Sequence, residues 1–189
     1  MVYLEGNHGT SKEAALSIMD DGYSLSKGDS EWLGDGVYFF IEGVSSDPDK
    51  QAEKWAIVEA WDNELKQNKY DEYCVLKSDI EVEEEYFLDL TVEDGVEILN
   101  YLIDKIENKL SKISKSINFI DGYLINFARG QRIFQIDVAK GNFYIKFAKE
   151  RIKRINLRTA NCTICSVNNL RCIKSKTITI IGQIQNEAI

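Results

Sequence analysis

Asn7-His8-Gly9-Thr10, followed one short helix later by Trp32-Leu33-Gly34-Asp35-Gly36-Val37-Tyr38-Phe39-Phe40, is the part of this chain that decides its fold. His8 is the single histidine among 189 residues. Residues 3–7 read as a first strand that delivers His8 to its end. Thr10-Ser11-Lys12-Glu13 then has the form of a capping box, with Thr10 as N-cap and Glu13 reaching back from the third helical position. Ala14, Ala15, Ile18 and Met19 recur at helical spacing, and Gly22 is a natural C-terminal stop. Gly34-Asp35-Gly36 forms a tight turn, and the aromatic and β-branched run of residues 37–41 is strand-prone.

Outward from this block the pattern stays mixed. Asp47-Pro48 marks a helix start, with proline at the first helical position and Ala52, Trp55 and Ala56 toward the core. Residues 73–76 and 86–90 read as strands flanking the acidic run Glu83-Glu84-Glu85. From Thr91 a long helix is expected. Val96, Leu99, Ile103, Ile106, Leu110 and Ile113 recur at alternating spacings of three and four, as in a packing seam. The final third reads as mainly β, with strands over 132–138, 142–146, 163–167 and 177–181. One proline and no repeats or low-complexity linker give no reason to divide the chain, so residues 1–189 are expected to form one α+β domain.

With 44% hydrophobic residues the chain can bury a substantial core. No stretch approaches the roughly 20 apolar residues of a membrane span, and the N-terminus lacks signal-peptide character. A cytoplasmic protein without membrane association is the expectation. The net charge of -8 conceals an asymmetry: residues 1–128 hold 11 Lys+Arg against 28 Asp+Glu, whereas residues 129–176 hold 12 against two. Such a basic stretch, interleaved with Phe143, Tyr144 and Phe147, suits phosphate contacts and base stacking. Neutralisation of one half by the other across the fold is the competing explanation. Cys162 and Cys165 have metal-ligand spacing, but a closed site would require distant Cys74 or His8. They are read as small apolar strand residues, Cys172 is left unassigned, and no metal is expected.

The order of these features resembles the ADP-ribosyltransferase superfamily, in its diphtheria-toxin-like and poly(ADP-ribose)-polymerase-like His-Tyr branch. The resemblance covers residues 4–60 well and the remainder only by its strand-rich pattern. It implies an α+β fold with a split antiparallel β-sheet core, flanking helices and one long inserted helix. It implies NAD+ as co-substrate, with His8 and Tyr38 as the catalytic pair. His8 is expected at the nicotinamide-side ribose, the Gly9 backbone at the nicotinamide amide, and Thr10 at the adenosine-side ribose. The Tyr38 ring is expected to stack on the nicotinamide, with Tyr23 as a second aromatic wall and Gly36 allowing close approach of the ligand. Gln51 is the nearest match to a polar residue that holds the nicotinamide amide in relatives.

One departure stands out. Relatives place a glutamate on a late strand, where it contacts the ribose and helps to activate the acceptor. The corresponding stretch, residues 161–169, contains no carboxylate, and Asn161, Cys162 or Thr163 stands nearest the expected position. Asp137 and Glu187 lie near other late strands, outside the matching block. Polymer formation is therefore not expected. The resemblance leaves three outcomes: single-unit transfer to a macromolecule, hydrolysis of NAD+ alone, or binding of NAD+ or ADP-ribose without turnover. Small stand-alone relatives are often toxins of toxin–antitoxin or phage-defence modules. By that analogy an RNA or DNA acceptor is favoured over protein, and an antitoxin partner is expected.

Overall fold

The structure is a computed structural model and describes residues 1–28, 31–113, 120–147 and 159–184; of residues 106–113 and 120 only the backbone is considered. The first strand, β1 (Val2–Ser11), leads directly into α1 (Lys12–Asp21). A loop carries the chain to β2 (Val37–Ile41) and α2 (Pro48–Glu59). A small hairpin of β3 (Trp61–Asp62) and β4 (Gln67–Asn68) precedes the long β5 (Glu72–Val82) and the short β6 (Phe87–Asp89). Two helices follow, α3 (Glu93–Ile113) and α4 (Ile120–Gly130). The chain ends on β7 (Val138–Phe143), β8 (Cys162–Val167) and β9 (Thr177–Gln183).

Seven strands form one open sheet in the order β6-β7-β8-β2-β1-β5-β9, antiparallel except where β6 pairs with β7. The fold is α+β with a mostly antiparallel sheet and, among the described residues, four helices. No helix among these residues is long and apolar enough to cross a membrane.

The pairing of β1 is lopsided, and this creates the site. On one side β1 is matched to β5 from Val2 opposite Val82 through Ser11 opposite Tyr73. On the other it meets β2 only at Gly6 opposite Ile41 and Asn7 opposite Phe40. Beyond Asn7 the two strands share no ladder, and the sheet opens between His8 and Tyr38. Side chains alternate across a strand, so β1 sends Asn7 and His8 to opposite faces. One face carries α1, whose Ala15 packs with Cys74 and Leu76. The other carries α2, whose Ala52 packs with Phe40, Val75 and Ile164. A further layer joins α3 and α4 through Leu102, Leu124, Ile125 and Ala128 to Leu33 and Ala139.

Several sequence expectations are corrected. The first strand runs four residues past its expected end, because Thr10 and Ser11 still pair with β5. The helix cap is consequently Ser11, which accepts a 3.1 Å hydrogen bond from the Ala14 amide, and not Thr10. Gly22 does end the helix, at φ 92°, a conformation open to glycine at low cost. Of the expected strand over 132–138 only Val138 is in a strand, as the first residue of β7, and the stretch instead begins as the irregular end of α4: the amides of Gln131, Arg132 and Ile133 bond to the carbonyls of Phe127, Arg129 and Ala128. Groups wrapped back onto a helix are not available to a strand ladder. β7 stops at Phe143, because the amide and carbonyl of Ile145 are taken by the Asn161 side chain at 2.9 and 2.8 Å.

α3 is present as expected, but its buried stripe is Ile98, Leu99 and Leu102; Val96 and Ile103 are exposed. The remaining seam positions, Ile106, Leu110 and Ile113, have side chains outside the described residues. Glu187 and five of the twelve basic residues of 129–176, namely Lys149, Arg151, Lys153, Arg154 and Arg158, also lie outside the described residues.

Candidate active site

A cavity of about 790 Å³ occupies the opening between β1 and β2. Its wall takes His8 and Gly9 from β1, Tyr23 from the segment after α1, Gly36 from the glycine turn and Tyr38 from β2. These five sequence candidates are brought together. Thr10 and Gln51 lie off that wall. Thr10 stands opposite Cys74 in the β1–β5 ladder. Gln51 is buried on α2, where its Nε2 donates a 2.6 Å hydrogen bond to the Asn161 carbonyl and its Oε1 has no partner.

His8 and Tyr38 are joined directly. The His8 Nδ1 donates to the Tyr38 backbone carbonyl at 2.8 Å, replacing with a side chain the ladder bond that the diverging strands no longer make. Since a carbonyl only accepts, this bond places the proton on Nδ1. Desolvation by burial lowers the His8 pKa, opposed in part by the same carbonyl bond. The ring is therefore neutral at pH 7, and Nε2 carries a free acceptor lone pair. Tyr23 and Phe39 stand edge-on to it, with ring centroids at 5.6 and 5.8 Å. The Tyr23 hydroxyl is hydrogen-bonded to Ser78 at 2.9 Å.

Tyr38 is held at its hydroxyl, which donates to the Gly34 carbonyl and accepts from the Leu33 amide, both at 2.8 Å. Burial raises its pKa strongly, so it stays protonated. The turn behind it is gripped by α4. Asn126 accepts from the Asp35 amide at 2.8 Å and donates to the Asp35 carboxylate at 2.9 Å. The Asp35 carbonyl accepts from Arg129 Nη1 and from Asn168, each at 3.0 Å. Arg129 is desolvated enough to bring its pKa down to about 10. Sequence reading missed Asn126, Arg129 and Asn168, whose partners lie about 90 or more residues away in the chain.

The glycines answer to packing. A Cβ on Gly9 would stand 1.8 Å from the Ala52 carbonyl oxygen of α2, and one on Gly36 would stand 2.1 Å from Ser166 Oγ. On the late strand β8, Ile164 is the residue that reaches the cavity. Asn161 is tied to Ile145 and Gln51, and Cys162 bonds weakly to the Phe143 carbonyl at 3.4 Å. Thr163 donates to Asn142 at 2.7 Å. Burial pushes the thiols of Cys162 and Cys165 up to about 12, which keeps them protonated and poor nucleophiles. These two cysteines, three apart on one strand, face opposite sides of it. No group of three or more metal-ligating side chains is assembled among the described residues.

Two carboxylates that the sequence reading did not single out, Glu31 and Glu59, reach the wall, together with Trp32, Trp55 and Phe40. Trp55 stands 5.9 Å from Trp32 and 6.4 Å from Phe40, ring to ring. The cavity thus offers aromatic faces, a neutral imidazole acceptor and carboxylates. That set suits a flat, cationic ring attached to a polyhydroxylated group.

No protein-family profile matches the chain. An uncharacterized protein of Methanocaldococcus jannaschii is 30% identical to it over 125 residues, which is 64% of this chain and 53% of the relative. The chain therefore spans about half the length of that relative.

Proposed function

We propose that this chain is a cytoplasmic, NAD+-dependent mono-ADP-ribosyltransferase with an ADP-ribosyltransferase-like split sheet, and that its acceptor is a macromolecule, RNA or DNA before protein. The observation that carries the proposal is the 2.8 Å bond from His8 to the Tyr38 carbonyl across the opening between β1 and β2. It sets a neutral histidine acceptor and an aromatic ring on the two sides of one cavity. In this reading the free Nε2 accepts from a ribose hydroxyl and the Tyr38 ring stacks on the nicotinamide. The pyridinium charge of NAD+ favours the aromatic and acidic wall. Transition-state stabilisation comes from rigid placement of these groups before the glycosidic bond breaks. A toxin role, with an antitoxin that covers the cavity, extends the same proposal.

A second reading has its own support. β8 turns Ile164 and no carboxylate toward the cavity, an arrangement compatible with NAD+ or ADP-ribose binding without turnover. Calorimetric titration of NAD+ combined with measurement of nicotinamide release separates the two. Binding with release supports the transferase, with hydrolysis as a variant if no macromolecule is labelled. Binding without release supports the module. Failure of NAD+ to bind overturns the transferase, and failure of ADP-ribose to bind as well overturns both.

A further inference from the structure

We propose that Glu31 is the carboxylate that faces the reacting centre and receives the acceptor's proton, an inference that rests on the ADP-ribosyl-transfer reading above. In that reaction the bond between the ribose C1′ and the nicotinamide nitrogen breaks, and its electron pair neutralises the departing pyridinium. The acceptor oxygen or nitrogen forms a new bond to C1′ and must lose a proton. A nearby anion both offsets the positive charge that develops on the ribose and takes up that proton. β8 supplies no such group, so the anion has to come from another part of the cavity wall. Among its described residues the carboxylates are Glu31 and Glu59.

Their settings differ. Glu59 is exposed near the end of α2 and faces the Lys69 ammonium at 4.0 Å, which offsets its charge. Glu31 is partly buried, and its Oε1 accepts a 2.6 Å hydrogen bond from the neutral Ser26 hydroxyl. Ser26 is in turn paired through its backbone to Gly36, with both bonds at 3.0 Å. The carboxylate is therefore mounted on the glycine turn that also delivers Tyr38. Its charge acts on the Tyr38 hydroxyl. A single rigid unit so carries both the stacking ring and the anion. Positioning of this kind is what proton transfer in a closed site requires.

The test uses the full chain with adenylate-labelled NAD+, following label transfer, nicotinamide release and NAD+ affinity for wild type, Glu31→Gln, Glu31→Asp and Glu59→Gln. Glu31→Gln is expected to lose roughly 100-fold in transfer rate, as removal of a general base does. Its NAD+ affinity and melting temperature are expected to stay close to wild type. Glu31→Asp keeps the charge and should recover part of the rate. Full activity of Glu31→Gln, or a loss confined to Glu59→Gln, overturns the assignment while leaving the transferase reading intact. A wild-type chain that neither binds NAD+ nor releases nicotinamide overturns both together.

Discussion

The His8 Nδ1 lies 2.8 Å from the carbonyl oxygen of Tyr38, at the place where β1 and β2 stop pairing. The bond binds a side chain on one face of the sheet to the backbone of the strand that presents the aromatic wall. It also commits the imidazole to one tautomer. A proton added to Nε2 would sit in a desolvated environment among Tyr23 and Phe39.

This gives a pH dependence with a definite sign. His8 has a folded pKa below its ordinary value near 6.5, so in that range the unfolded chain binds the proton more readily. Stability at this residue is complete above pH 6.5 and is lost as pH falls through the window beneath it. Thermal melting of wild type and His8→Gln between pH 7.5 and 5.5 checks this. The wild type should lose stability faster on acidification, and parallel curves would remove the inference of a neutral, desolvated ring.

Gly9 and Gly36 should respond to alanine in different degrees. At Gly9 the added methyl meets the Ala52 backbone oxygen at 1.8 Å, so the whole of α2 must move. At Gly36 the first obstacle is Ser166 Oγ at 2.1 Å, a hydroxyl that can rotate, although the Val167 carbonyl follows at 3.1 Å. Overpacking typically costs about 1–3 kcal/mol. Gly9→Ala is expected at or above the top of that range and Gly36→Ala within it, as measured by denaturant unfolding.

The clamp on the glycine turn should matter for both stability and affinity. Arg129 donates from Nε to the Ile136 carbonyl at 2.7 Å and from Nη1 to the Asp35 carbonyl at 3.0 Å. Hydrogen bonds from charged donors contribute about 1.5–3 kcal/mol each. Arg129→Met should therefore destabilise the chain by about 2–4 kcal/mol on that scale, allowing for the relief of a desolvated charge. Because Tyr38 hangs from the same turn, NAD+ affinity should fall as well. An unaltered affinity in a folded Arg129→Met variant would detach the clamp from the site.

Gln51 separates a structural from a ligand-binding role. Its Nε2 is committed to the Asn161 carbonyl at 2.6 Å, and it lies off the cavity wall. Gln51→Leu should lower stability by about 1–3 kcal/mol, the usual range for a buried acceptor left unpaired. NAD+ affinity should change less than about threefold, under 1 kcal/mol. A tenfold loss of affinity in a stably folded variant would return this residue to the ligand.

The parts of the fold that were legible in the sequence are those governed by local chemistry. The Gly34-Asp35-Gly36 turn with its aromatic strand, the proline start of α2 and the Gly22 stop of α1 all follow from residue type at short range. α4 escaped because the alternation in Arg132-Ile133-Phe134-Gln135-Ile136 imitates a strand, while Leu124, Ile125 and Ala128 carried the helical spacing just before it. Ile136 is buried in the same cluster as those residues, so its apolar character reflects tertiary packing rather than a sheet period.

Within the cavity, His8 and Tyr38 stood out by motif. Glu31 did not, because its value comes from Ser26 and from a backbone pairing between Ser26 and Gly36 that no local pattern announces. The grip of Asn126, Arg129 and Asn168 on Asp35 is equally non-local. The helical seam of α3 was displaced for the same reason: Leu102 faces α4, and Val96 and Ile103 are left outside.

The most direct test is incubation of the purified chain with adenylate-labelled NAD+ and separate pools of RNA, DNA and protein, beside a His8→Ala control. The account predicts label in a nucleic-acid pool, nicotinamide released in step with it, and loss of both in the control. Absence of transfer to any pool together with absence of nicotinamide release would contradict it.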